Sequence, residues 1–130
     1  MTIFGFSIPI AMKPQANMSE HWAVKATRTR NERAIARIYY NNHIFTKPPE
    51  TGPIEITLKR LGNRRFDSGN LGHAFKAIQD GIADAMGIND GNQRLRWKYE
   101  QEQVPKGQEE IIVLIEFHPA KSRMNLGEER

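Results

Sequence analysis

The distribution of apolar residues along the chain predicts four β-strands. Apolar and polar side chains alternate in Ile54–Leu58 and again in Leu95–Tyr99, which is the pattern of half-buried strands. Thr2–Ile10 is rich in Ile and Phe and leads into a proline-containing loop, so it is predicted to be the first strand. Ile111–Phe117 is a nearly continuous apolar run, which predicts a strand in the middle of the sheet.

Two segments are predicted to be α-helices. The first spans residues 20–42, which contain neither Gly nor Pro, and Ser19 is a suitable N-cap for it. The second ends at Gly87, a natural C-terminal stop. The apolar positions at helical spacing are Ala34, Ile35 and Ile38 in the first helix and Leu71, Ala74, Phe75, Ile78 and Ile82 in the second.

The predicted order of elements is β-α-β-α-β-β. This order favours an α+β fold, a four-stranded mixed sheet covered by two helices. A chain of 130 residues is long enough for one domain with one core. Residues 1–118 are assigned to that domain and residues 119–130 to a polar C-terminal tail.

The composition excludes several classes of protein. The chain has no cysteine, which rules out a disulfide scaffold, a Cys-ligated zinc site and a thiol nucleophile. The longest apolar run, Ile111–Ile115, is far shorter than a membrane span of about 20 residues. Residues 1–12 lack the basic segment and cleavage site of a secretory signal. We therefore expect a soluble cytoplasmic protein without a membrane partner.

The charge distribution adds a possible partner. The net charge is +4, from 19 Lys and Arg against 15 Asp and Glu. This permits a polyanionic partner but does not prove one, because the positions of the charges matter more than their sum. Two basic runs lie next to acids. Asp67 is flanked by Lys59, Arg60, Arg64 and Arg65, and Asp90 is followed by Arg94, Arg96 and Lys98.

Asp67 and Asp90 are therefore candidate metal ligands. Carboxylates hold Mg²⁺, the metal polarises a phosphate and activates water, and nearby cations position the backbone. Acids inside basic runs thus suit phosphodiester hydrolysis. The alternative is that Asp67 caps a helix and Asp90 is an ordinary turn aspartate. On spacing alone, this alternative is the more common outcome.

Three short motifs follow one another between Ile54 and Tyr99. They are Asp67-Ser68-Gly69-Asn70, Lys76-Ala77-Ile78-Gln79-Asp80-Gly81 and Gly87-Ile88-Asn89-Asp90. Their order and spacing resemble the signature of the RusA family of Holliday junction resolvases. That signature is Asp-x-Asp-Asn opening a helix, then Lys-Ala-x-x-Asp-Gly/Ala, then a Gly-hydrophobic-Asp-Asp turn. His21-Trp22 and the basic helix behind it also resemble the phage branch of the family.

The resemblance implies a RusA-like fold and a homodimeric, Mg²⁺- or Mn²⁺-dependent endodeoxyribonuclease. Such an enzyme cuts branched DNA, including four-way junctions, in recombination and repair. Three aspartates bind the metal in that family, and Asp67 and Asp90 match the first and the last. The middle one falls at Gly69, which has no side chain. The alternative is therefore a relative that binds branched DNA without cleaving it.

Further residues receive roles from the resemblance and from the basic runs. Lys76 matches a family lysine near the active centre, where it would face the scissile phosphate; the alternative is a solvated helix lysine. The predicted DNA-backbone contacts are Arg64, Arg65, Lys76, Arg94, Arg96 and Lys98. The last three are expected to form one cationic stripe beside Asp90, and a solvated sheet face is the alternative. Trp22, Trp97 and Tyr99 are expected in the core.

Helix length constrains the metal site. A straight helix over residues 70–86 would be about 25 Å long, and the residues after it return at most about 14 Å by Asp90. Ligands of one ion must lie within about 5 Å of each other. Asp67 and Asp90 of one chain therefore barely meet unless the helix is shorter or bent. A second subunit that supplies Asp90 is the simpler arrangement.

Overall fold

The four predicted strands form one sheet in the computed structural model, which describes residues 1–12 and 21–119. The strands are β1 (Thr2–Ile8), β2 (Ile54–Gly62), β3 (Leu95–Gln103) and β4 (Glu110–Phe117). The described helices are α1 (Trp22–His43), α2 (Ser68–Ala74) and α3 (Lys76–Met86). The predicted α+β class with a four-stranded mixed sheet is confirmed.

The strand order is β1-β4-β2-β3. Strand β4 pairs antiparallel with both β1 and β2, whereas β2 and β3 are parallel. The interior position of β4 confirms the prediction from its apolar run, and Ile111, Val113 and Ile115 are fully buried. Parallel neighbours need a crossover connection, and α2 and α3 supply it between β2 and β3.

The sheet has one face in the core and one open face. Ile54, Ile56 and Leu58 of β2 are fully buried, and Arg60 continues the same inward series. On the open face, the residues are half-buried or exposed. They include Ile3 and Gly5 of β1, Ile112, Leu114 and Glu116 of β4, Glu55, Thr57 and Lys59 of β2, and Arg96 and Lys98 of β3.

The prediction of two helices is wrong, because the second predicted helix consists of α2 and α3. Phe75 lies between them with φ −82° and ψ −6°, whereas an α-helix has ψ near −42°. Its side chain is fully buried and stacks on Tyr99 with the ring centroids 5.7 Å apart. The change in backbone direction accompanies this burial.

The buried face of α1 also differs from the prediction. Ala36 and Tyr40 are buried, whereas Ile38 is 53% exposed. Trp22 is 75% exposed, so its expected place in the core is wrong. The side chain of His21 caps α1, because its Nδ1 accepts a hydrogen bond from the Ala23 amide at 3.2 Å.

Some predicted boundaries shift and others lie outside the described residues. Strand β1 ends at Ile8 rather than Ile10, while β2 and β3 are longer than their alternating cores. Gly87 ends α3 as predicted, with a left-handed φ of 72°. The proposed cap Ser19 and the tail residues 120–130 lie outside the described residues.

Candidate functional site

Asp67 occupies the N-cap position of α2, but its side chain does not act as a cap. Its carbonyl oxygen accepts hydrogen bonds from the amides of Asn70 at 2.9 Å and Leu71 at 3.0 Å. Among the described residues, its carboxylate accepts no capping hydrogen bond, although a capping Asp normally binds an amide of the first turn. Asp67 is exposed, so its carboxylate oxygens are available to a ligand.

A cavity of about 520 Å³ lies beside Asp67. It is bordered by the end of β2, the loop after it, and the first turn of α2. Its charged and amide-bearing residues are Arg60, Asn63, Arg64, Arg65, Asp67, Asn70 and Glu109. Three guanidinium groups face two carboxylates, so the cavity has a net positive charge.

Arg60 is the most buried charged residue of this cavity, with 5% of its surface exposed. Its Nη1 donates a hydrogen bond to the Arg64 carbonyl oxygen at 2.6 Å, and its guanidinium carbon lies 3.5 Å from the Phe66 ring centroid. Burial lowers the pKa of Arg60, and the charge of Glu109 opposes this shift. Within the described residues, Arg60 forms no ion pair and its buried Nε has no hydrogen-bond acceptor.

Gly69 stands where the middle aspartate of the RusA signature would be. Apart from its own helix, no heavy atom of the described residues lies within 4 Å of the position that a Cβ would take there. A Cβ would therefore fit without a clash, but glycine provides no ligand at that position.

The Asp90 carboxylate forms an ion pair with Lys76. The Lys76 Nζ lies 2.5 Å from Asp90 Oδ2 and 2.9 Å from Asp80 Oδ1. The hydrogen bond from Lys76 lowers the pKa of Asp90. In turn, the hydrogen bonds to Asp90 and then Asp80 raise the pKa of Lys76. The ammonium group already neutralises part of the acidic charge at this position.

In the turn around Asp90, the local side-chain hydrogen bond is made by the neighbouring residue Asn89. Asn89 Oδ1 accepts from the Gly91 amide at 2.9 Å, so Asn89 makes the side-chain turn contact. The Trp97 indole N–H donates to the Asp90 carbonyl oxygen at 3.2 Å, which ties this turn to β3. The Asp90 carboxylate is thus not needed by the turn itself.

An ion-pair network continues from Lys76 along α3. Arg33 of α1 binds Asp84 through two hydrogen bonds of 2.6 and 2.9 Å, and its Nη1 lies 3.9 Å from Asp80 Oδ2. The hydrogen bond from Arg33 lowers the pKa of Asp84. Asp80 and Asp84 thus belong to a salt-bridged helix surface.

The two candidate ligands have different surroundings in the described part of the chain. Asp67 lines the basic cavity, and Asp90 does not. Asp90 returns along α3 far enough for its carboxylate to contact the side chain of Lys76, the first residue of that helix. The seven residues of α2, which span about 10 Å, remain between Lys76 and Asp67, in agreement with the separation estimated from helix length.

The three residues of the predicted cationic stripe, Arg94, Arg96 and Lys98, do not share one environment. Arg94 lies before β3 and donates from Nε to the Gly52 carbonyl oxygen at 2.9 Å and from Nη2 to the Pro49 carbonyl oxygen. Arg96 and Lys98 lie on the open face of the sheet, whereas Trp97, which contacts Asp90, points to the other face. Arg64 and Arg65, by contrast, line the cavity of Asp67.

A group of possible metal ligands lies on the open face. Glu55, Glu116 and His118 each offer a ligand atom, and these atoms lie within 4.8 Å of one another. His118 Nε2 is 3.1 Å from Glu55 Oε2 and 3.7 Å from Glu116 Oε2, and Lys98 Nζ is 3.4 Å from Glu55 Oε1. Mixed imidazole and carboxylate ligands suit transition metals. The sequence analysis missed this group, although the register that pairs Glu55 with Glu116 brings it together.

Comparisons with known proteins do not assign the chain to a family. No model of a known protein family matches it, and no curated protein matches it. Within residues 1–12 and 21–119, no helix is both long and apolar enough to cross a lipid bilayer.

Proposed function

We propose that this protein is a divalent-metal-dependent, structure-specific endodeoxyribonuclease that resembles the RusA resolvases. The observation that carries the proposal is the environment of Asp67. Its carboxylate is exposed, does not cap α2, and borders a cavity with three arginines. An acid placed among cations suits binding a metal against a phosphate backbone.

The residues around Asp67 fit Mg²⁺ or Mn²⁺. Both ions prefer oxygen ligands, and Mg²⁺ is held by one or two carboxylates together with water and substrate phosphates. Asp67 offers a carboxylate, and Asn70, which borders the same cavity, offers an amide oxygen. When bound, such a metal polarises the phosphate and lowers the pKa of its water. Arg64 and Arg65 would hold the DNA backbone beside it.

Asp90 and Lys76 enter the proposal as a pair. A homodimer would allow Asp90 of one subunit to approach Asp67 of the other, and Lys76 would move from the Asp90 carboxylate to the substrate phosphate. The substrate in this proposal is branched DNA, recognised by its shape through contacts to the phosphate backbone.

Gly69 favours a second candidate function. With no carboxylate at that position, the chain lacks one ligand of the resemblance, and its metal affinity would be lower. A protein that binds branched DNA without cleaving it would keep the arginines of the cavity and lose turnover.

The test is cleavage of a four-way DNA junction with Mg²⁺ or Mn²⁺, compared with the Asp67→Asn variant. We expect cleavage to fall at least about 100-fold in this variant, since removal of a metal ligand or its support commonly costs 10–100-fold or more. Its melting temperature should not change, because Asp67 makes no capping bond. Glu100→Gln, an exposed acid on β3, is the matched control.

Three outcomes separate the candidates. Cleavage that depends on Asp67 supports the nuclease, and tight junction binding without nicks supports the binding protein. If the protein is inert, Gly69→Asp should raise metal affinity and confer cleavage, since the position has room for a side chain. Indifference of the protein to DNA, with or without that change, would refute both.

A further inference from the structure

We propose that the cavity around Arg60 binds a phosphate group of a nucleic-acid strand, with Arg60 as its buried anion-binding residue. This inference rests on the proposed function, since it names the chemical group that the cavity beside Asp67 would hold.

The position of Arg60 is the first argument. In β2, the residues Ile54, Ile56 and Leu58 fill the inward positions of the sheet, and each is fully buried. Arg60 occupies the next inward position, where the alternation calls for an apolar side chain. A residue that breaks the local pattern without a structural gain is expected at a functional site.

The second argument is that Arg60 lacks an ion-pair partner. A buried charge is normally paired, yet Arg60 forms no ion pair within the described residues. One guanidinium nitrogen binds the Arg64 carbonyl oxygen and, among the described residues, Nε is buried without an acceptor. Burial lowers the pKa of Arg60, and the charge of Glu109, which lines the same cavity, offsets this shift only in part.

The third argument is that the cavity is shaped around the guanidinium. The Phe66 ring covers Arg60 at 3.5 Å. A Cβ at Gly62 would lie 2.2 Å from both the guanidinium carbon and Nη2, so a larger residue there would displace the guanidinium from this position. Phe66 and Gly62 thus leave room for the guanidinium at the cavity, where its planar fork can donate two parallel hydrogen bonds to a phosphate.

A phosphodiester fits the remaining residues of the cavity better than a carboxylate partner does. Arg64 and Arg65 add two further cations to Arg60, and planar guanidinium groups bind phosphate oxygens well. Asp67 and Asn70 offer oxygen atoms to a metal beside such a phosphate. A protein carboxylate would gain from the arginines but would have no use for these oxygens.

The experiment measures DNA binding in EDTA, so that cleavage plays no part. The affinity of a labelled four-way junction is followed by fluorescence anisotropy for wild type, Arg60→Met and Gly62→Ala. Arg60→Met keeps a long side chain against Phe66 and removes the charge. We expect at least about tenfold weaker binding, because hydrogen bonds to charged groups contribute about 1.5–3 kcal/mol. The control is Arg30→Gln, an exposed arginine of α1, for which we expect a change within about twofold.

Thermal unfolding distinguishes binding from a purely structural role. Replacing an unpaired buried charge by an apolar side chain is often neutral or stabilising, so Arg60→Met should be at least as stable as wild type. Lower stability of Arg60→Met together with unchanged DNA affinity would overturn the proposal.

A second measurement uses the wild-type protein and does not depend on a folded variant. Titration with inorganic phosphate should shift the Arg60 Nε–Hε signal in a ¹H–¹⁵N NMR spectrum, and the shift should saturate. An unmoved signal would overturn the proposal. An equal response to acetate, with DNA affinity unchanged in Arg60→Met, would assign the cavity to a protein carboxylate instead.

These results separate this inference from the proposed function. If the junction is cleaved and Arg60→Met binds it normally, the phosphate site is wrong and the nuclease stands. If Arg60→Met loses affinity and wild type does not cleave, the nuclease is wrong and the phosphate site stands.

Discussion

Gly81→Ala tests how closely α1 and α3 pack. Gly81 lies in α3 where it meets α1, and a Cβ there would be 2.2 Å from the Arg33 carbonyl oxygen and 2.8 Å from the Ala36 Cβ. Ordinary contact begins at 3.4 Å, so the first distance is short by about 1.2 Å. The obstacle is helix backbone and cannot rotate away. The two helices would have to separate or tilt.

The expected cost follows from two opposing terms. Overpacking a dense core costs up to about 3 kcal/mol, while Ala gains about 1 kcal/mol over Gly in a helix. We therefore expect Gly81→Ala to lower the free energy of unfolding by about 2 kcal/mol. For a domain of this size, that corresponds to a melting temperature lower by about 7 °C.

The assay is urea and thermal unfolding followed by circular dichroism. The matched control is Gly69→Ala in α2, where the new Cβ meets no heavy atom within 4 Å from the described residues outside its own helix. It gains helix propensity without a clash, so it should be neutral or more stable by up to about 1 kcal/mol. If both variants are as stable as wild type, the close approach of α1 to Gly81 is incorrect.

Two further predictions concern the ion pairs of α3. Asp84→Asn removes the bidentate pair with Arg33 and should cost about 0.5–1 kcal/mol at pH 7, because both side chains are partly exposed. Arg33 lowers the pKa of Asp84 below its ordinary 3.8. The contribution of the pair is therefore present above pH 3.8 and lost as the pH falls through the lowered pKa. Urea midpoints of variant and wild type should converge in acid, and a constant difference would contradict this. Lys76→Met should raise the pKa of Asp90, measured by NMR titration, and should tighten Mn²⁺ binding if Asp90 is a ligand. Unchanged Mn²⁺ affinity would argue against that role.

The sheet was the most predictable part of the structure. Alternation identified β2 and β3, and the continuous apolar run of Ile111–Phe117 predicted the interior place of β4. These patterns are reliable because one face of a strand must be buried. The order of strands across the sheet was not predicted, since it depends on pairing between segments far apart in the chain.

The helices show where periodicity is insufficient. The apolar stripe from Leu71 to Ile82 gave no sign of the break at Phe75, because its members are buried on both sides of it. In α1, the aliphatic Ile38 is exposed, while Tyr40 is buried together with its hydroxyl group. Burial raises the pKa of Tyr40 to about 12. Contacts with other elements decide such positions, and they are not local in sequence.

The candidate site was predicted in part. Asp67 and its arginines Arg64 and Arg65 lie together, as their closeness in sequence suggested. The burial of Arg60 was not predicted, although its place after Ile54, Ile56 and Leu58 in the inward series is a readable signal. The partners of Arg94 and Asp90 could not be predicted, because they come from loop backbone and from the start of α3.

Asp67 and Asp90 are equivalent in the resemblance but differ in this chain. Asp90 already has a cation, the Lys76 ammonium at 2.5 Å, and a metal would have to displace it. Among residues 1–12 and 21–119, Asp67 has no such partner, and it lies beside Asn70 and the Arg60 cavity. With Gly69 in place of a ligand, one carboxylate binds Mg²⁺ weakly unless phosphate oxygens complete its coordination. A phosphate held by Arg60 would supply them. If both proposals hold, the metal and DNA bind together, and the missing aspartate lowers metal affinity chiefly in the absence of substrate.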